Sequence, residues 1–141
     1  MNTELFKDTM EFAHFGIAVN DFDQSVSFYR QMGYTCTEPL LDPIQNVELV
    51  LCQSDILPDI ELVKPVTDTS PIQTFLKSGS ESFYHLCFKV KDVKKKIGEI
   101  KKTHRIICVK DAKPAILFGN RKVSFYYISG VGLCEFLEGQ E

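Results

Sequence analysis

The chain has 141 residues, 44% of them hydrophobic and 25% charged, with a formal net charge of −3. That is the composition of a globular domain able to bury its own core, and it excludes a disordered, collagenous or coiled-coil chain. The acidic balance speaks against a nucleic-acid partner, no apolar run approaches the roughly 20 residues that span a bilayer, and five scattered cysteines without a CxxC pair read as reduced packing thiols of a cytoplasmic protein.

Residues 1–11, with Glu4, Lys7 and Asp8 and no secretory apolar core, read as a short lead-in. A strand follows from Phe12, with Ala13, Phe15, Ile17 and Val19 alternating onto an apolar face. Phe22, Val26 and Tyr29, spaced by four and three, then predict a helix with one buried face. Asp21 is its expected N-cap, Gln24 would complete a capping box, and Gly33 supplies a left-handed exit. Extended runs come next at Tyr34–Pro39, Val47–Cys52 and Asp59–Val63. The connector Asp68–Gly79 predicts a helix of one or two turns, capped by Thr69 or Ser70, with Pro71 in its first turn and Gly79 at its exit.

From here the chain repeats itself. His14-Phe15-Gly16-Ile17-Ala18-Val19-Asn20-Asp21 is matched by His85-Leu86-Cys87-Phe88-Lys89-Val90-Lys91-Asp92, 71 residues later. At the same offset Phe22, Val26 and Tyr29 fall on Val93, Ile97 and Ile100, so a second capped helix is expected after Asp92. Strands at Ile106–Val109, Lys122–Ile128 and Leu133–Leu137 complete a second strand-helix-strand-strand-strand module. The lysines at 89, 91, 94–96, 101 and 102 suit the solvated side of the second helix, with a cationic rim for an anionic substrate tail as the alternative. His104 suits a dipole partner at that helix's end.

Strand alternation aims four side chains away from the helix-covered faces. His14 lies beside the small residues Gly16 and Ala18, and His85 lies with Cys87 and Lys89. Glu61 points away from the core face of Ile60 and Leu62, and Glu135 sits between Leu133 and Leu137 on its own face. A carboxylate among apolar neighbours requires a partner such as a cation. Each copy thus donates one nitrogen and one oxygen ligand, and the N₂O₂ set suits Ni²⁺, Co²⁺, Mn²⁺, Fe²⁺ or Zn²⁺ with positions left for water or substrate. Hydrogen-bonded strand histidines and edge-guarding glutamates are the alternative reading of any one of the four. The register shared by all four favours a metal site.

With these residues in view, the chain resembles the vicinal oxygen chelate superfamily, which includes glyoxalase I and methylmalonyl-CoA epimerase. The resemblance runs from Phe12 to Glu138 and is carried by His14–Val19, Ile60–Pro65, Asp68–Ile72, Tyr84–Val90, Asn120–Val123 and Gly132–Leu137. It implies an α+β fold of paired βαβββ modules in a cupped mixed sheet, the glyoxalase/bleomycin-resistance fold, often completed in a homodimer. The expected layout is one domain over residues 12–141, with module 1 at 12–66, the connector at 67–79 and module 2 at 80–141. The resemblance makes His14, Glu61, His85 and Glu135 the metal ligands. Glu61 looks like glyoxalase I, since epimerases typically carry Gln there, whereas Ser70-Pro71 before a short helix looks more like the epimerases.

Both relatives remove a proton beside a carbonyl, so the implied activity is a metal-dependent lyase of the glyoxalase I type. An epimerase of methylmalonyl-CoA is the alternative, and a non-catalytic binding or resistance protein a second one. The substrate would be a small thiol-linked or CoA-linked molecule. Glu135 and Glu61 are the implied proton carriers. Glu48 falls where some epimerases place a second base, although an exposed strand carboxylate explains it equally well. Arg121 is a candidate for gripping a substrate carboxylate or phosphate, with a surface salt bridge as the alternative. Asn120 beside it is a second candidate for substrate contact and also suits a turn.

Overall fold

The computed structural model describes residues 10–76 and 81–139. These form nine strands, two α-helices and two 3-10 helices. In chain order they are β1 (Met10–Ala18), α1 (Phe22–Gln31), β2 (Thr35–Cys36), β3 (Leu40–Asp42), β4 (Val47–Gln53), β5 (Ile60–Pro65) and a 3-10 helix at Pro71–Leu76. They continue with β6 (Ser82–Val90), α2 (Val93–Lys101), β7 (Ile106–Ala115), a 3-10 helix at Ile116–Phe118, β8 (Arg121–Ile128) and β9 (Gly132–Glu138). Contacts divide the chain into two compact units, His14–His85 and the residues on either side of it. β1 begins at Met10, two residues before the expected strand, and the rest of the lead-in lies outside the described residues, as does Gly79.

In the unit His14–His85 the strand order is β2-β4-β5-β1, with β3 pairing β4 as well. β1 and β5 are parallel, in the register Phe15–Ile60, Gly16–Glu61, Ile17–Leu62 and Ala18–Val63. α1 covers one face of these strands. Its Phe22, Val26 and Tyr29 join Phe15, Ile17, Val50, Cys52, Ile60 and Leu62 in one core. A ten-residue helix is marginal by itself, so this packing, together with its caps, holds it in place.

The Asp21 carboxylate accepts from the Asp23 amide at 3.0 Å. No bond from the Gln24 side chain is found among the described residues, so the capping box is only half formed. The exit is complete. Gly33, at φ +100°, donates to the Arg30 carbonyl at 3.1 Å, and Tyr34 donates to the Tyr29 carbonyl at 3.0 Å, the two bonds of a Schellman motif.

The second unit has the strand order β6-β9-β8-β7. β6 and β9 are parallel, pairing Leu86–Cys134, Cys87–Glu135 and Phe88–Phe136. α2 buries Ile97 and Ile100 against Val90, Ile128, Cys134 and Phe136, with Val93, Leu86 and Phe88 packed alongside. Asp92 caps it by accepting from the Lys95 amide at 3.0 Å. The opposite face carries a second cluster of Cys87, Ala115, Val123, Phe125 and Leu137, which Ala13 and Leu133 join.

Three details depart from the sequence reading. β7 runs to Ala115, well past Val109, as an exposed strand whose pairing with β8 is interrupted between Cys108 and Lys110 and again between Lys110 and Lys113. Its lysines and Pro114 hide the period-two signal that would mark a strand, and such residues suit a sheet edge. The three-residue β3 is too short to show any period. Lys96 is not on a solvated face: only 1% of it is exposed, with its ammonium 2.9 Å from Glu99.

Both caps are measurable. Asp21→Ala and Asp92→Ala are each expected to lower unfolding free energy by about 1 kcal/mol. Urea titration should show a lower midpoint with an unchanged m-value in each variant.

Candidate metal centre

The parallel register of β1 with β5 starts the site. Gly16 stands opposite Glu61, so Glu61 shares a sheet face with His14 two residues earlier on β1. β6 brings His85 to the same place. The His14 and His85 Nε2 atoms lie 3.1 Å apart, and Glu61 Oε1 is 3.5 Å from the first and 3.4 Å from the second. All three side chains are buried, at 1%, 3% and 1% exposure for His14, Glu61 and His85.

Gly16 makes this approach possible. A Cβ on it would stand 2.5 Å from Nδ1 and 2.7 Å from Nε2 of His85, closer than real Cβ contacts come. The imidazole therefore lies directly on the β1 backbone. Its position is limited further by Tyr84, whose ring meets it edge-on at 4.8 Å and is itself packed against Phe75 at 4.7 Å. The His14 and His85 rings cross at 73°, so their nitrogens converge without stacking.

The triangle of two imidazole nitrogens and a carboxylate oxygen fits a bound cation. Two metal–ligand bonds of about 2.0–2.2 Å meeting at an octahedral or tetrahedral angle place their donor atoms roughly 2.8–3.6 Å apart. All three separations fall within that window. A carboxylate buried to this degree also requires positive charge nearby, which a divalent metal would supply. His14, Glu61 and His85 each offer one ligand atom, all within 4.8 Å of one another.

The remaining candidates are placed as follows. Glu135 lies in the second unit, on β9, registered opposite Cys87 of β6 and Phe125 of β8 and 2% exposed. Its neighbours Leu133 and Leu137 share its face, as alternation requires. Cys134 points the other way, into the α2 core, and burial pushes its thiol up to about 11, so it offers no thiolate.

Glu48 lies on β4. It pairs with Lys64 across β4 and β5, its carboxylate 3.4 Å from the ammonium, while Lys64 also lies over the Phe22 ring at 5.4 Å. It shares the α1 face with Val50 and Cys52, whereas Leu51 stands opposite Glu61 on the other face. Glu48 and Glu61 therefore lie on opposite faces of the sheet. Arg121 donates from Nε to the Glu138 carbonyl at 3.0 Å, tying the start of β8 to the end of β9. Asn120 follows Gly119 in the left-handed region, at φ 65° and 64°, and its amide donates to Ala115 at 2.9 Å, so it makes the turn into β8. His104 is exposed at the end of α2, its amide bonded to the Ile100 carbonyl.

The Glyoxalase/Bleomycin resistance protein/Dioxygenase superfamily model matches residues 13–125. The chain belongs to that superfamily. Its fold agrees with solved structures of the same kind. Methylmalonyl-CoA epimerase from Mycobacterium tuberculosis is 22% identical with a TM-score of 0.75, over 92% of this chain and 88% of that one. A hypothetical protein from Bacillus halodurans C-125 is 26% identical with a TM-score of 0.76, over 94% and 96%. A Streptomyces coelicolor methylmalonyl-CoA epimerase in complex with 2-nitronate-propionyl-CoA is 21% identical with a TM-score of 0.69, over 92% and 97%. Comparison with curated proteins gives no match. No helix among the described residues is long and apolar enough to cross a membrane.

The sequence shows room beside His14 at Gly16 but not the ring that fills it. The signal was the 71-residue offset, which sets Gly16 against Cys87 and so marks one copy as lacking a side chain. Gly16→Ala should force His85 out of place and cost roughly 1–3 kcal/mol of stability. Urea unfolding, with the His85 ring resonances followed by NMR, checks both effects.

Proposed function

We propose that this protein is a divalent-metal-dependent isomerase that moves a proton on the carbon beside a thioester carbonyl, of the methylmalonyl-CoA epimerase type. The observation that carries this reading is the buried His14–Glu61–His85 triangle, with separations of 3.1, 3.4 and 3.5 Å. Glu135 is the fourth ligand in this proposal. The repeat supports it, since Cys87–Glu135 is the same parallel register in the second copy that Gly16–Glu61 is in the first.

When bound, the metal supplies positive charge where a carbonyl oxygen gains negative charge as the neighbouring carbon loses its proton. His14 and His85 would hold the metal through their converging ring nitrogens. Inversion at carbon needs one group to take the proton from one face and another to return it on the opposite face. Glu61 and Glu135 take these two roles, each carboxylate oxygen accepting or delivering one proton. The apolar residues around them, Leu133 and Leu137 beside Glu135, exclude water that would otherwise compete for the proton. Methylmalonyl-CoA epimerases among the similar structures support a CoA thioester as the substrate.

A second reading rests on Glu61 itself. A carboxylate at this position resembles glyoxalase I, whose substrate is the hemithioacetal of a ketoaldehyde with glutathione. Solvent deuterium exchange separates the two. Purified without chelators and assayed in D₂O, the protein should incorporate deuterium at C2 of methylmalonyl-CoA, and Glu135→Gln should lower the rate at least 100-fold. Product from methylglyoxal and glutathione, without exchange in the CoA ester, would move the assignment to the lyase. Absence of both activities in metal-replete protein would leave a binding protein. Stripping the metal with a strong chelator is expected to lower the melting temperature by roughly 10 °C, since a metal at 100 times its Kd adds about 2.7 kcal/mol.

A further inference from the structure

The five cysteines are scattered in sequence, yet two of them meet. β2 and β4 are antiparallel and set Cys36 directly opposite Cys52, with the sulfurs 3.0 Å apart. The Thr37 amide donates to the Leu51 carbonyl at 3.0 Å, which makes the neighbouring pair the hydrogen-bonded one. Cys36–Cys52 therefore occupies the closer, non-hydrogen-bonded spacing of an antiparallel ladder. A disulfide bond is about 2.05 Å long, so the sulfurs need approach by only about 1 Å, within the reach of side-chain rotation. The two thiols also differ in access: Cys52 is fully buried under α1 and Cys36 is partly exposed at the edge of the same core.

We propose that Cys36 and Cys52 form a redox pair, which a peroxide converts into an intrachain disulfide that clips β2 to β4. The exposed partner reacts first. The Cys36 sulfur attacks one peroxide oxygen, the O–O bond breaks, and the second oxygen leaves with the thiol proton as water, giving a sulfenic acid. The Cys52 sulfur then attacks the Cys36 sulfur, the S–O bond breaks, and the hydroxyl leaves with the Cys52 proton as a second water. Two thiols lose two electrons and hydrogen peroxide gains them. Burial and the hydrogen bond to Cys36 push the Cys52 thiol up, which fits its use as the resolving partner rather than the first nucleophile.

The test uses the full chain, reduced and then exposed to hydrogen peroxide. Thiol titration after denaturation should fall from five to three, with a mass loss of two hydrogens that dithiothreitol reverses. A glutamate-specific protease cuts between the cysteines at Glu38 and Glu48, so it should release two peptides joined through Cys36 and Cys52. Cys36→Ser should keep all four of its thiols out of any intrachain disulfide under the same exposure. Should that variant not fold, Cys108→Ser serves instead, and its four thiols should fall to two. Over-oxidation of Cys36 without a joined peptide, or linkage only between chains through Cys108, would overturn the proposal.

Discussion

The parallel pairing of β1 with β5 is the constraint on which the centre rests. Its register sets a glycine opposite a glutamate, and everything local follows from that one alignment. A shift by one residue would move Glu61 to the α1 face and carry Leu62 into its place. The α1 core opposes such a shift, because Ile60 and Leu62 would both leave apolar surroundings. Burying an Ile or Leu contributes roughly 1.5–3 kcal/mol, so two such residues fix the register firmly. The helix on one face thus determines the chemistry available on the other.

Much of this was legible from residues alone. The repeat shows on direct comparison of the two halves, and both N-caps and the Gly33 exit follow from local rules that depend only on nearby sequence. The faces of β5 and β9 were readable because period-two alternation is rigid and both strands carry one charge among apolar residues. The convergence of His14, Glu61 and His85 was legible as an expectation, since an internal copy of a motif constrains where its partner goes. What alternation did not give was the face of Glu48 relative to Glu61. Two strands must be registered against each other before that is fixed, and cross-strand register depends on long-range packing.

Other gaps have the same origin. β7 lies at an edge with one side exposed, and its lysines and Pro114 obscure the pattern that marks interior strands. Arg121 and Asn120 suggested ligand contacts by residue type, and residue type alone did not reveal the strand tie and the turn that they also make. The Cys36–Cys52 contact joins residues on different strands, and nothing in their spacing announces it.

The closeness of His85 to the β1 backbone also bears on how the two copies relate. At the matching position the first copy has Gly16 and the second has Cys87, whose side chain fills the cluster of Val123, Phe125 and Leu137. A strand transplanted from the second half into the first would bring a thiol into the space that the imidazole occupies. The halves are therefore not interchangeable, although their ladders run in step. The one position without a Cβ is thus where the two halves differ most in what they can seat.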